Sequence, residues 1–273
     1  MNNDILTALA ALDRDSRPTP HTTDTPAPDR NAVIDVIKDL QALLFPGYYR
    51  RTGSPAQEEL LARVETRLAG EVAAALRFRD EGGDPAALTG AFLSALPTIK
   101  SILLKDIEAL YLGDPAAKCR EEILLCYPGF YAISIYRMAH ELYRLGVPLL
   151  PRIMTEYAHE KTGIDIHAGA VIGEYFFIDH GTGIVIGETT VIGHHVKLYQ
   201  GVTLGAKSFE TDENGNPVKN IKRHPNIGNH VVIYAGATIL GGSTTVGDGA
   251  TIGGNVWLTH SVEPGTTVVY REK

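Results

Sequence analysis

Apolar positions in the first 160 residues recur at helical spacing. Val33, Ile37, Leu40, Leu43 and Leu44 share one helical face, and Pro46-Gly47 closes the run. Ser54-Pro55 reads as the N-cap and first position of a second helix, with Leu60, Leu61, Val64 and Leu68 as its stripe. Gly82-Gly83 breaks it, Asp84-Pro85 opens another, and Pro97 opens a fourth that runs through Leu110. Asp114-Pro115 repeats the same cap signature. Ile135, Met138, Ala139 and Leu142 predict a further helix between Tyr131 and Leu145. Ahead of these, Ile5, Leu6, Leu9 and Leu12 predict one or two amphipathic turns. Residues 16–30, rich in Pro, Thr and Asp, hold too few large apolar groups to offset their ordering entropy and read as a mobile linker.

From about residue 164 the period changes. Apolar residues recur every six positions: Ile166, Ile172, Ile178 and Ile184; then Ile186, Ile192, Leu198 and Leu204; then Ile227, Ile233 and Ile239; then Val246, Ile252 and Leu258. This fits neither a 3.6-residue helix nor an ordinary hairpin, and it predicts a parallel β-helix of hexapeptide repeats, three to a triangular coil. Glycine often follows the apolar position, as at Gly173, Gly187, Gly193, Gly205, Gly228, Gly247 and Gly253, and is expected to permit a turn with positive φ. A β-sandwich with frequent turns is the competing fold. Residues 206–224 interrupt the repeat around Asp212-Glu213-Asn214-Gly215-Asn216-Pro217, a loop on one face of the solenoid.

Composition narrows the partners. The chain of 273 residues is 44% hydrophobic and 21% charged, which suits a packed core, and its net charge of -7 disfavours a general nucleic-acid binder. No window of about 18 consecutive apolar residues predicts a membrane span, and no basic-then-apolar leader opens the chain. Cys119 and Cys126 are too few for a disulfide framework and are expected to be reduced core thiols. A cytoplasmic setting is expected.

The informative residues are polar groups inside the repeat. His180 follows Asp179, with Asp165 as a second nearby carboxylate; a neutral imidazole oriented by a carboxylate accepts protons near pH 7. His224 follows Arg223 directly after the loop. His167 and the pair His194-His195 occupy turn positions, where a histidine commonly does no more than cap the turn. Lys207, Lys219, Lys222 and Arg223 make the loop locally basic, which suits either a solvated surface or a phosphate-rich ligand.

These residues stand in motifs: GDPA at 113–116, GIDIHAGAVIG at 163–173, IDHGTGIVIGETTVIG at 178–193, QGVTLGA at 200–206, KRHPNIG at 222–228 and YAGATILGG at 234–242. In this set the chain resembles the serine O-acetyltransferases, a family of hexapeptide-repeat acyltransferases. The fold expected is α+β: a segment 1–30, an α-helical domain over 31–160, and a left-handed β-helix over 161–273 with a loop insertion at about 206–222. The resemblance implies transfer of acetyl from acetyl-CoA to the hydroxyl of L-serine in cysteine biosynthesis. His180 would be the general base and Asp165 its paired carboxylate. Asp114 and Asp179 would hold the serine amino group, and Arg223 and His224 its carboxylate and the transition state. Gly205, Ala206, Ala235 and Gly236 would line the acetyl-CoA groove with backbone, and no metal is implied. The resemblance further implies a homotrimer or dimer of trimers with sites between protomers, and feedback inhibition by L-cysteine. The chain departs from the family in its longer loop, its long N-terminal segment, and the missing isoleucine-ending tail with which many members bind cysteine synthase. Three other readings remain open: a different acceptor such as homoserine or an amino sugar, a zinc lyase recruiting His180, His195 and His224, and a non-enzymatic scaffold.

Overall fold

The computed structural model describes residues 2–15, 25–50, 53 and 55–270. Ser54, residues 16–24, the side chain of Leu12 and the final residues 271–273 lie outside the described residues, and with them the expected cap at 54 and most of the expected linker.

Among the described residues eight helices lead into the solenoid: α1 (Asn2–Asp15), α2 (Arg30–Leu44), α3 (Pro46–Tyr49), α4 (Gln57–Arg79), α5 (Pro85–Gly113), α6 (Arg120–Cys126), α7 (Pro128–Arg144) and α8 (Leu150–Thr162). Three local expectations are corrected. Pro55 is not the first residue of α4, which begins at Gln57 with Ala56 as its cap. Pro97 opens no new helix and lies inside α5. It sits on the exposed side while Phe92, Ile99, Leu103, Ile107 and Leu110 stay buried, so tertiary packing carries the helix across the missing N–H. Asp114-Pro115 starts no helix either; Asp114 caps the C-terminus of α5, and its carboxylate accepts the Ala116 N–H at 2.8 Å in a local turn. Cys119 and Cys126 are both exposed and free, not core thiols. By length and composition α5 is also apolar enough to cross a membrane, although one face of it packs against α4, α7 and the first coil.

The remainder forms three parallel sheets. Sheet A holds β1 (Asp165–Ile166), β4 (Val185–Ile186), β7 (Thr203–Gly205), β10 (Thr238–Leu240) and β13 (Trp257–Leu258). Sheet B holds β2 (Val171–Ile172), β5 (Val191–Ile192), β8 (Asn226–Ile227) and β11 (Thr245–Val246). Sheet C holds β3 (Phe177–Ile178), β6 (Lys197–Leu198), β9 (Val232–Ile233), β12 (Thr251–Ile252) and β14 (Thr267–Val268). The chain visits A, B and C in turn, so each circuit is one coil of a triangular prism, the left-handed parallel β-helix. The six-residue apolar positions point inward and are buried, from Ile166 through Leu258.

The glycines that follow those apolar positions do not serve positive-φ turns. None of Gly173, Gly187, Gly193, Gly205, Gly228, Gly247 and Gly253 has positive φ; that conformation falls instead on residues such as Tyr175, His180, His195 and His230. The glycines answer to space: a Cβ on Gly173 would lie 2.5 Å from the Gly193 carbonyl oxygen of the next coil.

Coil one exchanges hydrogen bonds with coil two, its Asp165 and Val171 N–H groups donating to Ile184 and Thr190 and its Glu174 carbonyl accepting the His195 N–H, but its other carbonyls lack the donors that a coil above would supply. Side chains of α7 take their place. The Tyr136 hydroxyl donates to the Ala170 carbonyl at 2.5 Å, Arg137 donates to Ile172 and Gly173 at 2.6 and 2.7 Å, and His140 Nδ1 lies 2.7 Å from the Ala168 oxygen. The helices therefore cap the open end of the solenoid.

Candidate active site

The corner from sheet C to sheet A in coil one carries Asp179 and His180. Close packing delivers two more groups to it. Gly113, at the end of α5, leaves room for the Phe177 ring, and Gly129, at the start of α7, leaves room for the Ile178 carbonyl; a Cβ at either would come within 2.6 Å. Asp114, directly after Gly113, and Tyr127, two residues before Gly129, thus sit near Asp179-His180. The Tyr127 hydroxyl donates to Asp114 Oδ2 at 2.5 Å. That hydrogen bond, the Ala116 N–H and the nearby His180 and Lys118 hold the Asp114 carboxyl below its usual range, while burial and the carboxylate push the Tyr127 phenol up.

His180 has φ +55, a left-handed backbone rarely taken by non-glycine residues, and its side chain is 72% exposed. Its Nε2 lies 3.7 Å from Asp179 Oδ1. The expected partner Asp165 starts β1 close by: Gly181 packs on Ile164, which directly precedes it. Among the described residues, however, the carboxylate nearest the imidazole is Asp179, and Asp165 converges instead with Glu156 and His159 of α8. Tyr199 and Tyr234 continue the Asp179 column on the next two coils as a stacked pair, with ring centroids 5.1 Å apart.

The corner from sheet A to sheet B carries the second group. His224 is 7% exposed. Its Nδ1 accepts the Thr189 N–H at 3.0 Å and lies 2.9 Å from the Thr189 hydroxyl. Burial foremost, then the adjacent Arg223 and Lys222, pull its pKa down to about 4. Arg223 donates to Glu188 at 2.5 Å, and Tyr143 donates to the same carboxylate at 3.3 Å. His167 lies on this corner two coils before His224, with Nδ1 accepting the Gly169 N–H at 3.0 Å, so that it caps its turn. Gly205 and Ala206 belong to this corner, Ala235 and Gly236 to the other.

One chain thus keeps His180, Asp179 and Asp114 apart from Arg223 and His224, with sheet A between them. The zinc constellation fares worse: His180, His195 and His224 occupy three different corners and do not converge. Tyr127, Glu188 and Thr189 do not stand out as individual residues in the sequence, and Gly187 does so only as a glycine expected to permit a turn. The signal for the last three was the GET string itself, which lies one coil above the Arg-His pair.

No family model matches the chain. A plasmid-borne serine acetyltransferase of Synechococcus elongatus is 58% identical over 181 residues, 66% of this chain and 56% of that protein. The serine acetyltransferase of Bacillus subtilis is 44% identical over 168 residues, 62% of this chain and 73% of that protein. The crystal structure of Entamoeba histolytica serine acetyltransferase 1 in complex with L-cysteine superposes with a TM-score of 0.78 at 35% identity, covering 98% of this chain and 97% of that one. The chain belongs to the serine acetyltransferase family. It spans little more than half the length of several curated relatives, 56% of the Synechococcus elongatus plasmid protein and 52% of that of Synechocystis. Within this family the α+β architecture read from the sequence holds nearly end to end, as does a likeness to the soybean enzyme complexed with serine, at TM-score 0.60 and 29% identity over 90% of this chain.

Proposed function

We propose that the protein is a serine O-acetyltransferase of cysteine biosynthesis, moving the acetyl group of acetyl-CoA to the hydroxyl of L-serine and releasing CoA and O-acetyl-L-serine. The observation that carries this reading is the exposed His180 imidazole, set on a left-handed backbone beside Asp179 and Asp114. His180 takes the serine hydroxyl proton as the oxygen attacks the thioester carbonyl, and returns it to the departing CoA sulfur. Asp165 orients the imidazole once the exposed ring turns toward it. Asp114 and Asp179 receive the substrate ammonium, and Arg223 with His224 its carboxylate and the tetrahedral oxyanion.

Because the two groups of residues lie on different corners, a complete site needs the A-to-B corner of one copy against the C-to-A corner of another. A homotrimer, or a pair of trimers, supplies that. The same seam joins Gly205 and Ala206 to Ala235 and Gly236 around acetyl-CoA. Next to it Lys207, Lys222 and Arg223, against the single carboxylate of Glu210, line a cavity of about 300 Å³ together with Gly241–Ser243, a net positive lining suited to the phosphates of the acyl donor. L-Cysteine, close to serine in size and charge, competes for the same pocket. The helical domain over 31–160 assembles and caps the catalytic β-helix over 161–273, and the enzyme works in the cytoplasm.

The test is CoA-thiol release with an acceptor panel that includes L-serine and homoserine, on wild type and His180→Asn. L-Serine should be preferred, and the variant should lose about 10²–10⁴-fold in kcat while keeping its assembled mass. Undiminished turnover by a correctly assembled variant, or indifference to the acceptor, overturns the reading.

A further inference from the structure

The GET string makes an unusual set of contacts with the two residues that leave the loop. Gly187 lies against the face of the His224 ring: a Cβ there would stand 2.1 Å from Cδ2 and 2.2 Å from Nε2. Glu188 holds the Arg223 guanidinium at 2.5 Å. Thr189 does the most. Its N–H donates to His224 Nδ1, and its Oγ1 accepts the backbone N–H groups of Arg223 and His224 at 3.0 and 3.1 Å. Its carbonyl accepts from Lys222 Nζ at 2.5 Å.

A backbone nitrogen can only donate, so Nδ1 of His224 must be bare and the ring proton must sit on Nε2. The hydroxyl inventory agrees. A threonine hydroxyl has two acceptor sites and one proton. Two amides take the acceptor sites, leaving the proton free to point at Nδ1, 2.9 Å away. Among the described residues no acceptor receives the Nε2 proton.

We infer that Thr189 is a positioning residue that locks His224 as an Nε2–H donor, so that His224 serves the reaction by giving a hydrogen bond to an anionic oxygen and not by accepting a proton. The inference rests on the acetyl transfer proposed above. The groups that face the ring favour a neutral imidazole at the pH of the reaction. Arg223 and Lys222 disfavour a second proton, Glu188 favours one, His167 adds a further basic neighbour, and burial outweighs them all. A second proton would also have to enter at Nδ1, against the Thr189 N–H. The anionic oxygen is either the serine carboxylate or the oxyanion formed from the thioester.

The first experiment needs no turnover. Long-range ¹H–¹⁵N spectra of histidine-labelled protein, with His224 assigned from the spectrum of His224→Gln, should show Nε2 protonated and the ring unchanged from pH 8 to 5.5. A proton on Nδ1, or titration of this ring above pH 6, overturns the inference even if serine acetylation is confirmed. The second compares Thr189→Ser, which keeps the hydroxyl, with Thr189→Val, which keeps only the shape. The serine variant should stay within about threefold of wild type, and the valine variant should lose about tenfold or more in kcat/KM. Equal activity of both with wild type overturns the positioning role. His224→Gln should lower kcat/KM without changing the shape of its pH profile between 6 and 8, whereas a changed shape would make His224 a base. A loss confined to kcat identifies the oxyanion as the acceptor, and a rise in the KM for serine identifies the carboxylate.

Discussion

Gly187→Ala isolates the placement of one imidazole. Gly187 does not have positive φ, so alanine suits its backbone; only space forbids it. The new methyl would stand 2.1 Å from His224 Cδ2, against about 3.5–4.0 Å for an ordinary carbon contact. The ring therefore has to retreat by about 1.4 Å or more. Its anchors are the 3.0 Å bond from the Thr189 N–H and the 2.9 Å contact with the Thr189 hydroxyl, and neither survives such a shift. Overpacking costs about 1–3 kcal/mol, and each lost hydrogen bond about 1 kcal/mol. The upper bound is therefore about 5 kcal/mol if the corner stays rigid. The loop that carries His224 is largely exposed and can yield, so the expected loss of stability is nearer 2 kcal/mol, a melting shift of a few degrees. Activity has no such relief. Displacing a binding group by about 1 Å costs on the order of 10²-fold. The assay is thiol release at saturating serine and acetyl-CoA, alongside differential scanning calorimetry and the His224 ¹⁵N spectrum. A variant within twofold of wild-type turnover, with an unshifted His224 resonance, would refute both the spatial account of this glycine and the role given to the ring.

Two further perturbations probe other parts of the molecule. Asp106 is fully buried and accepts from Arg137 Nε and Nη2 at 3.0 and 3.1 Å and from the Phe176 N–H at 2.9 Å. Asp106→Ala leaves the buried guanidinium uncompensated at the junction of helices and solenoid, and should cost about 3–5 kcal/mol in chemical denaturation; a loss under 1 kcal/mol would mean that the two parts are not held together by this pair. Tyr127→Phe removes the hydroxyl that chiefly holds the Asp114 carboxyl below its usual range. The Asp114 pKa should rise toward the ordinary carboxylate value, which still leaves the group ionised at pH 6 and at pH 8, so the KM for serine should increase several-fold by a similar factor at both, through the lost positioning of the carboxylate, with kcat little changed; an unaltered KM would remove Asp114 from the ammonium site.

How far the sequence carried the fold differs between its two halves for a physical reason. In the solenoid each inward position is decided locally, because a coil touches only the coils above and below it. Ile172, Ile192 and Ile227 stack for the same reason that they are spaced as they are, and their burial could be read directly. In the helical part, ends are decided by distant packing. Pro97 looked like a helix start, but Phe92 and Ile99 on either side of it face the same buried surface, and the helix runs through. Asp114-Pro115 has the local chemistry of an N-cap; its place as the C-cap of α5, beside Asp179-His180, depends on Tyr127 and on the packing of Gly113 against Phe177. The glycines of the repeat answer to space and not to the positive φ that their spacing suggests. Their positions were legible, but the close approach between coils that requires them exists only once the coils are stacked.

The candidate site was legible through departures from the repeat more than through the repeat. Along the inward positions, each C-to-A step takes six residues, from Leu198 to Leu204, from Ile233 to Ile239 and from Ile252 to Leu258, except in coil one, where Ile178 to Ile186 takes eight. The two extra residues lie in the corner of Asp179, His180 and Gly181, and they lift the imidazole out of the column that Gln200 and Ala235 occupy on later coils. The A-to-B steps from Ile166 to Ile172 and from Ile186 to Ile192 also take six, whereas Leu204 to Ile227 takes twenty-three and returns to the prism at Arg223-His224. A solenoid has no intrinsic cavity, so function must enter where the period is broken. The two largest breaks fall on the two corners that together hold the general-base candidate, the substrate-binding candidates and the cradle of His224. They do not meet within one prism, and it is the proposed acetyl transfer, which uses both, that requires a second copy to bring them together.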